Sequence, residues 1–284
     1  MPPNTRGGFA GHAPVQELMM SLFGDFTNEI QDLVKFRWVS ISLVSSTLRT
    51  RYKRSILGFF WSLLGPILSY TVMGYVFSFL MKGMVPDFFV YMFSATLIYN
   101  LLSVTILSSP AIMIANEGFI KKIYLPKSLF VVNTVALEFI NFLFGMVALL
   151  FLGLVFRKLT FSWAYMYLPV PMVFALLFNF GIASMISVAS VFFRDLTHIL
   201  PVLMQALFFA TPIMYTMDIL PPEIQPYTVF NPLLYFVESF RYPIYRGTLP
   251  PAEIQVPLML ISLFIFVAGY WILKKFENKI VFRL

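Results

Sequence analysis

Charge is missing from this sequence over stretches long enough to cross a membrane. No Lys, Arg, Asp or Glu occurs in residues 55–81, 88–112, 159–193, 199–217 or 254–273, and residues 128–156 carry a single one, Glu138. A helix needs about 20 apolar residues to cross the hydrocarbon core. Each run therefore predicts a span, with residues 166–192 taken from the longest, which makes six. The fifth run is the shortest and holds Pro201 and Pro212, tolerated where neighbours satisfy the freed carbonyls. Charged residues make up only 12% of the chain, where a soluble domain has about 25%. That is too little polar surface for a large soluble α/β fold. The expected fold class is an all-α integral membrane protein with six transmembrane helices.

The cations between the runs set orientation. With both termini in the cytoplasm, the inside segments hold 15 Lys and Arg and the outside segments 5, as the positive-inside rule requires. Arg49, Arg51, Lys53 and Arg54 crowd directly before span one and read as its cytoplasmic anchor. The net charge of +7 is thus explained by its distribution and calls for no nucleic acid. Residues 1–24 lack the apolar core of a signal peptide and read as a flexible cytoplasmic tail.

Residues 25–54 come next, an interfacial helix followed by the basic knot. Within 26–48, Phe26, Ile30, Leu33, Val34, Ile41, Val44 and Leu48 share one helical face, which Arg37 interrupts. Asn28, Gln31, Lys35, Ser42, Ser46 and Arg49 lie roughly opposite. This is a helix for the membrane surface rather than its interior, either a plain anchor or one that also touches a cytoplasmic partner. The transmembrane domain then occupies 55–284. Its cytoplasmic segment 113–126 mixes Glu117, Lys121 and Lys122 with Phe119, Ile120, Ile123, Tyr124 and Leu125 before Pro126. A short helix ending near Tyr124 is expected there, serving as a docking surface or folding back onto the bilayer. Arg194 and Asp195 close span four, holding a tight turn or meeting a partner.

The external segment 218–253 holds seven prolines around the apolar stretch Leu233–Tyr245, which carries Glu238 and Arg241. That stretch is too short to span and predicts short external re-entrant helices capping or lining an aqueous path; the alternative is a loop on the lipid surface. Glu138 lies inside span three with no second acid one or two turns away. It reads as an interhelical acceptor or a path-lining group rather than a proton relay. Phe88, Phe89, Tyr91 and Tyr99 crowd span two, suited to stacking on sugar rings or to an ordinary aromatic belt.

Energy-coupling and catalytic chemistry are absent from the pattern. No GxxxxGK[ST] occurs, so no nucleotide is held through a P-loop. No Ser/His/Asp set, acid cluster or His pair stands at either interface, His198 having only His12 in the tail for company. Cysteine is absent, and with it thiolate metal sites and disulfides. No inverted repeat of the kind found in ion-driven carriers is evident. The chain reads as a transport subunit without a site for cofactor or metal, the membrane half of a two-component pump.

Several segments carry a family resemblance. "RTRYKRSILGFFWSLLGPIL" at 49–68, "NEGFIKKIYLPK" at 116–127, "EFINFLFG" at 138–145, "SVFFRDL" at 190–196, and "ATPIMYTMDILPPEIQPY" with "NPLLYFVESFR" between 210 and 241 resemble, in order and spacing, the ABC-2 type permeases that export bacterial surface polysaccharides. The O-antigen and teichoic-acid transport permeases are such families, and the resemblance covers residues 25–284. It implies a homodimer in the bacterial inner membrane, paired with a separate P-loop subunit that binds ATP and Mg. The cargo implied is an undecaprenyl-pyrophosphate-linked glycan moved to the outer leaflet. By the same resemblance, Glu117, Gly118, Phe119, Lys121, Lys122, Arg194 and Asp195 couple to the ATPase. Arg49, Arg51, Lys53 and Arg54 would meet the lipid pyrophosphate as it enters, in addition to anchoring. Phe88, Phe89, Tyr91, Tyr99 and Glu138 would line the path, and Tyr215, Tyr235, Phe236, Glu238 and Arg241 would form the external gate. Competing readings are an ABC-2 exporter of teichoic acid, capsule, drugs or small lipids, and a membrane enzyme of glycan assembly, which the missing acid cluster disfavours.

Cysteines introduced at positions 225–245 of this cysteine-free chain should react with a membrane-impermeant thiol reagent added from outside. Labelling only from the cytoplasmic side would reverse the topology.

Overall fold

The computed structural model describes residues 27–52, 60–80, 85–156 and 162–284. The tail 1–24, Lys53 and Arg54 of the basic knot and the first residues of span one lie outside the described residues. Within them, all regular structure is helical. The chain runs through α1 (27–35), α2 (Arg37–Tyr52), α3 (Trp61–Leu80), α4 (Phe88–Ser108), α5 (Ala111–Ala115), α6 (Glu117–Lys122), α7 (Lys127–Val155), α8 (Pro169–Phe192), α9 (Leu196–Ala210), α10 (Pro232–Arg241) and α11 (Ala252–Arg283). Short 3-10 turns precede α8 and α10, and a π-helical turn, Tyr242–Arg246, follows α10.

Four stretches are long and apolar enough to cross a membrane: α4, α7, α8 with its leading turn from Trp163, and α11. They match the second, third, fourth and sixth uncharged runs, with shifted ends. Run two ends its helix at Ser108, because Pro110 has no N–H with which to continue the ladder. The hydroxyl of Ser190 on α8 donates to the Pro110 carbonyl at 2.9 Å. Helix α11 extends ten residues past the end of its uncharged run at Leu273, carrying Lys274, Lys275, Glu277, Lys279 and Arg283. Run five departs most: α9 covers 15 residues and stops at Ala210 rather than 217. Thr211 precedes Pro212 and is pushed into extended backbone, φ −97° and ψ 131°. At 1.5 Å per residue α9 is about 22 Å long, short of the ~30 Å hydrocarbon core.

The N-terminal helix breaks at Phe36, and its apolar face divides. Leu33, Phe36 and Leu43 pack onto a cluster formed by α5, α7, α8 and α11. Ile30, Val34, Trp38 and Ile41 stay exposed on the outside.

The tightest packing joins α8 to α11. A Cβ on Gly181 would sit 2.2 Å from the Ile265 carbonyl oxygen, and one on Gly269 would sit 2.1 Å from the Gly181 carbonyl oxygen. Small residues allow such backbone contact, which replaces the hydrophobic drive that lipid cannot supply. The main core then fills the space among α4, α7, α8 and α10, with Phe93, Phe236 and Phe240 fully enclosed.

Gly181→Val should force these backbones apart and destabilise the fold by about 3 kcal/mol or more, read as loss of monodisperse protein after mild heating in detergent. A variant that keeps the parent's melting profile would show that the crossing is not needed.

Candidate functional site

Chemistry-bearing side chains collect at two ends of the bundle. One end holds α10, its π turn and the segment before α4. Glu238 and Arg241 stand three residues apart on α10, one turn of the same face. Arg241 is 1% exposed. Its Nη1 pairs with Glu238 Oε1, its Nη2 donates to the Pro212 carbonyl at 2.7 Å, and its guanidinium lies 3.8 Å from the centre of the Tyr91 ring. The cation thus takes up the carbonyl freed where α9 breaks. Its Nε has no hydrogen-bond partner; the ring face gives the buried charge a third contact. Tyr91 donates its hydroxyl to the Tyr215 carbonyl at 2.9 Å and meets the Tyr245 ring edge-on at 5.2 Å. Tyr245 in turn donates to the Pro86 carbonyl at 2.7 Å. Burial holds the Tyr245 hydroxyl above the usual tyrosine range, with Asp87 acting the same way and Arg246 and Arg241 opposing, so it stays a donor. Arg246, half exposed, reaches Glu238 Oε2 at 3.6 Å.

These contacts lock α10 to α4 and to the break after α9. Three of the expected gate residues meet here directly or through one neighbour: Glu238, Arg241 and, through Tyr91, Tyr215. Phe236 is fully buried against Phe178, and Tyr235 donates to the Val229 carbonyl at 2.8 Å. Of the residues read as path-lining, Phe88, Tyr91 and Tyr99 are buried among protein side chains in this conformation. Tyr99 donates to the Met204 carbonyl of α9. Phe89 is half buried against Phe93 and Phe156.

The opposite end gathers α1, α2, the start of α7 and the end of α11. Glu138 lies on the α7 face turned towards α2, where Arg51 Nη2 approaches it at 3.9 Å. Asn141, one turn on, donates to Glu138 Oε2 at 2.8 Å. The intramembrane carboxylate therefore sits between helices as an acceptor. A second set went unnoticed in the sequence. Glu29 on α1 is buried, accepts from the Ser128 hydroxyl at the start of α7, and pairs with Lys274 on α11. Lys274 also reaches Glu277, which pairs with Lys127 at 3.3 Å. Only Asn141, at i+3 from Glu138, carried a readable signal. Glu29 stands in a polar segment where one more acid means nothing by itself.

The turn α5–α6 projects from this same end. Asn116 Nδ2 closes α5 on the Ile112 carbonyl at 2.7 Å, and α6 ends at Lys122, two residues earlier than expected. Lys121 and Glu117 pair at 2.6 Å one turn apart. Gly118 faces open space, and Phe119, Ile123 and Tyr124 are exposed, Tyr124 to 84%. Arg194 and Asp195 are exposed in the turn between α8 and α9. Among the described residues no group of His, Asp or Glu could hold a metal ion.

Removing one partner of a buried ion pair costs about 3–5 kcal/mol, an exposed one about 1 or less. Arg241→Ala should therefore lower thermal stability in detergent strongly and Arg246→Ala only slightly. Equal losses would refute the ranking.

Comparison with known proteins adds the following. The family model for the ABC-2 type transporter matches residues 39–245. The O-antigen export system permease protein RfbA of Myxococcus xanthus is 27% identical over 242 residues, 84% of this chain and 93% of that protein. RfbA of Klebsiella pneumoniae is 27% identical over 240 residues, covering 84% and 92%. The polysialic acid transport protein KpsM of Escherichia coli is 23% identical over 230 residues, covering 78% and 88%.

Proposed function

The chain belongs to the ABC-2 type transporter family, and from that membership we propose that it is the transmembrane subunit of an exporter carrying lipid-linked polysaccharide of the O-antigen kind to the outer leaflet of a bacterial inner membrane. The similarity to O-antigen export permeases over most of both chains carries this reading. The polysialic acid transporter among the relatives supports the second reading, export of an acidic polysaccharide of that type.

The family implies an ATP-binding partner subunit, and the chain acts as a multi-pass transport subunit rather than an enzyme. The finer arrangement is our proposal. Helices α3, α4, α7, α8, α9 and α11 are the six spans, with both termini cytoplasmic, two copies pairing with two ATPases, and ATP and Mg held by the partner. The grouping of charges supports that polarity: the exposed α5–α6 turn, Arg194–Asp195 and the cationic end of α11 share the end that α1 and α2 occupy. Phe119, Ile123 and Tyr124, flanked by the Glu117–Lys121 pair, form the surface that enters the ATPase. Apolar groups this exposed on a six-residue helix outside any span need a partner. The cations of α2 receive the pyrophosphate of the lipid carrier, since clustered Arg suits phosphate. Lys53 and Arg54, assigned the same task, lie outside the described residues.

Export of surface glycan by a strain lacking its own permease, given this chain and a cognate ATPase, tests the assignment; ATP hydrolysis without export of any glycan would sink it. In that assay Glu117→Arg, which breaks the pair with Lys121 and reverses a charge on the docking surface, should cut export about tenfold at unchanged membrane level, the effect of an interface charge worth about 1.4 kcal/mol or more. Undiminished export would remove α6 from the coupling surface.

A further inference from the structure

Arg51 has two acceptors, and neither holds it closely. Its Nη2 lies 3.9 Å from Glu138 Oε1 and its Nη1 donates to Asn141 Oδ1 at 3.4 Å, while the side chain stays 42% exposed. Glu138 is buried, its side chain 8% exposed. A long, half-exposed pair of this kind contributes little to stability and exchanges readily. Glu138 does not depend on it alone. Asn141 Nδ2 donates to its other oxygen at 2.8 Å and keeps that bond if Arg51 turns away, which lowers the cost of leaving a buried carboxylate without its cation.

A destination for Arg51 lies beside it. A cleft of about 370 Å³ on α2 is lined by Ser46, Thr47, Thr50 and Arg51. The neighbouring cleft, about 630 Å³, shares Ser46 and Thr50 and adds Arg49. Hydroxyls with two guanidinium groups and, among the described residues, no carboxylate in the lining form a surface complementary to phosphate oxygens. A bare site of this sort has a weakness in a membrane. The bilayer offers a large excess of singly charged phosphodiester headgroups, any of which would occupy it.

We propose that Glu138 with Asn141 is an internal substitute for phosphate that occupies Arg51 at rest, so that the α2 cleft yields to a lipid-linked pyrophosphate and not to a singly charged phosphodiester lipid. The inference rests on the reading of α2 as the face that receives the lipid carrier. A monoanion that takes Arg51 from a carboxylate gains no charge in the exchange. A pyrophosphate brings more charge and can engage Arg49 and Arg51 together. Glu138 touches no substrate; it is a positioning residue that sets the threshold for occupancy.

The test uses the full chain in phosphatidylcholine nanodiscs, with farnesyl pyrophosphate as the probe and phosphatidylglycerol as the competing phosphodiester. In the parent, phosphatidylglycerol should weaken probe binding by about twofold or less; in Glu138→Gln the same lipid should weaken it by about fivefold, the upper end of what a half-exposed pair contributes. Glu138→Asp should restore much of the discrimination. Ser40 and Asn133 touch across α2 and α7, so disulfide formation between Ser40→Cys and Asn133→Cys reports whether α2 remains seated in each variant. Should Glu138→Gln crosslink normally yet discriminate like the parent, the proposal is overturned and the reading of α2 as the receiving face survives. Loss of the crosslink in Glu138→Gln would make Glu138 a fastener and overturn it as well. Probe binding unaffected by Arg51→Ala would remove both this proposal and the reading beneath it.

Discussion

Backbone contact between α8 and α11 sets the spacing to which the rest of the molecule is fitted. Lipid is as apolar as a leucine side chain, so nothing presses two greasy helices together except close packing and satisfied polar groups. Gly181 and Gly269 permit the approach by having no side chain at the crossing. One end of α8 then carries the Arg194–Asp195 turn, and the polar end of α11 carries Lys274 and Glu277. Both reach the same end of the bundle as the exposed α6. The crossing thus couples the helix that presents one exposed turn to the helix that receives the N-terminal segment.

Among the described residues buried charge is used sparingly, and each time it ties separate elements together. Arg241 supplies donors where α9 ends early at Thr211–Pro212, and its ring contact with Tyr91 ties that repair to α4. Glu29 and Lys274 join three elements that share no continuous backbone. Leaving any of these groups alone in a low-dielectric interior costs several kcal/mol, so the partners must arrive together. The two ends differ in character. At the α10 end the cation is sealed in; at the α2 end Arg51 is half exposed and loosely held.

Hydropathy made the long helices legible because run length is a direct physical requirement of the bilayer. The bounds of α7 agree with the uncharged run to within a residue at each end, and α8 begins three residues inside the expected span 166–192 after a short turn. Where prolines fall, run length misleads: Pro110 divides run two, and Pro212 ends α9 before its run is finished. The amphipathic reading of 26–48 found a helix but not the break at Phe36 or the division of its apolar face, because a helical wheel cannot know that a neighbour will cover Leu33 and leave Ile30, Val34 and Ile41 bare. Partners were the least legible part. Glu138 stands out through its cost in a span, but Arg51 reads as an anchor and a pyrophosphate contact, and the pairing crosses nearly ninety positions. Aromatic crowding in span two reads as a path or a belt and does not show that Tyr91 and Tyr99 donate their hydroxyls to the carbonyls of Tyr215 and Met204.

The Glu29–Lys274 pair has a consequence in time. Glu29 leaves the ribosome almost a full chain length before Lys274, so during synthesis its carboxylate has no cation of its own to sit against. Until α11 is in the bilayer, α1 must wait in water or among headgroups, and the surface it later covers stays open. Insertion of α11 therefore precedes the seating of α1 and α2, and with it the completion of any site they form.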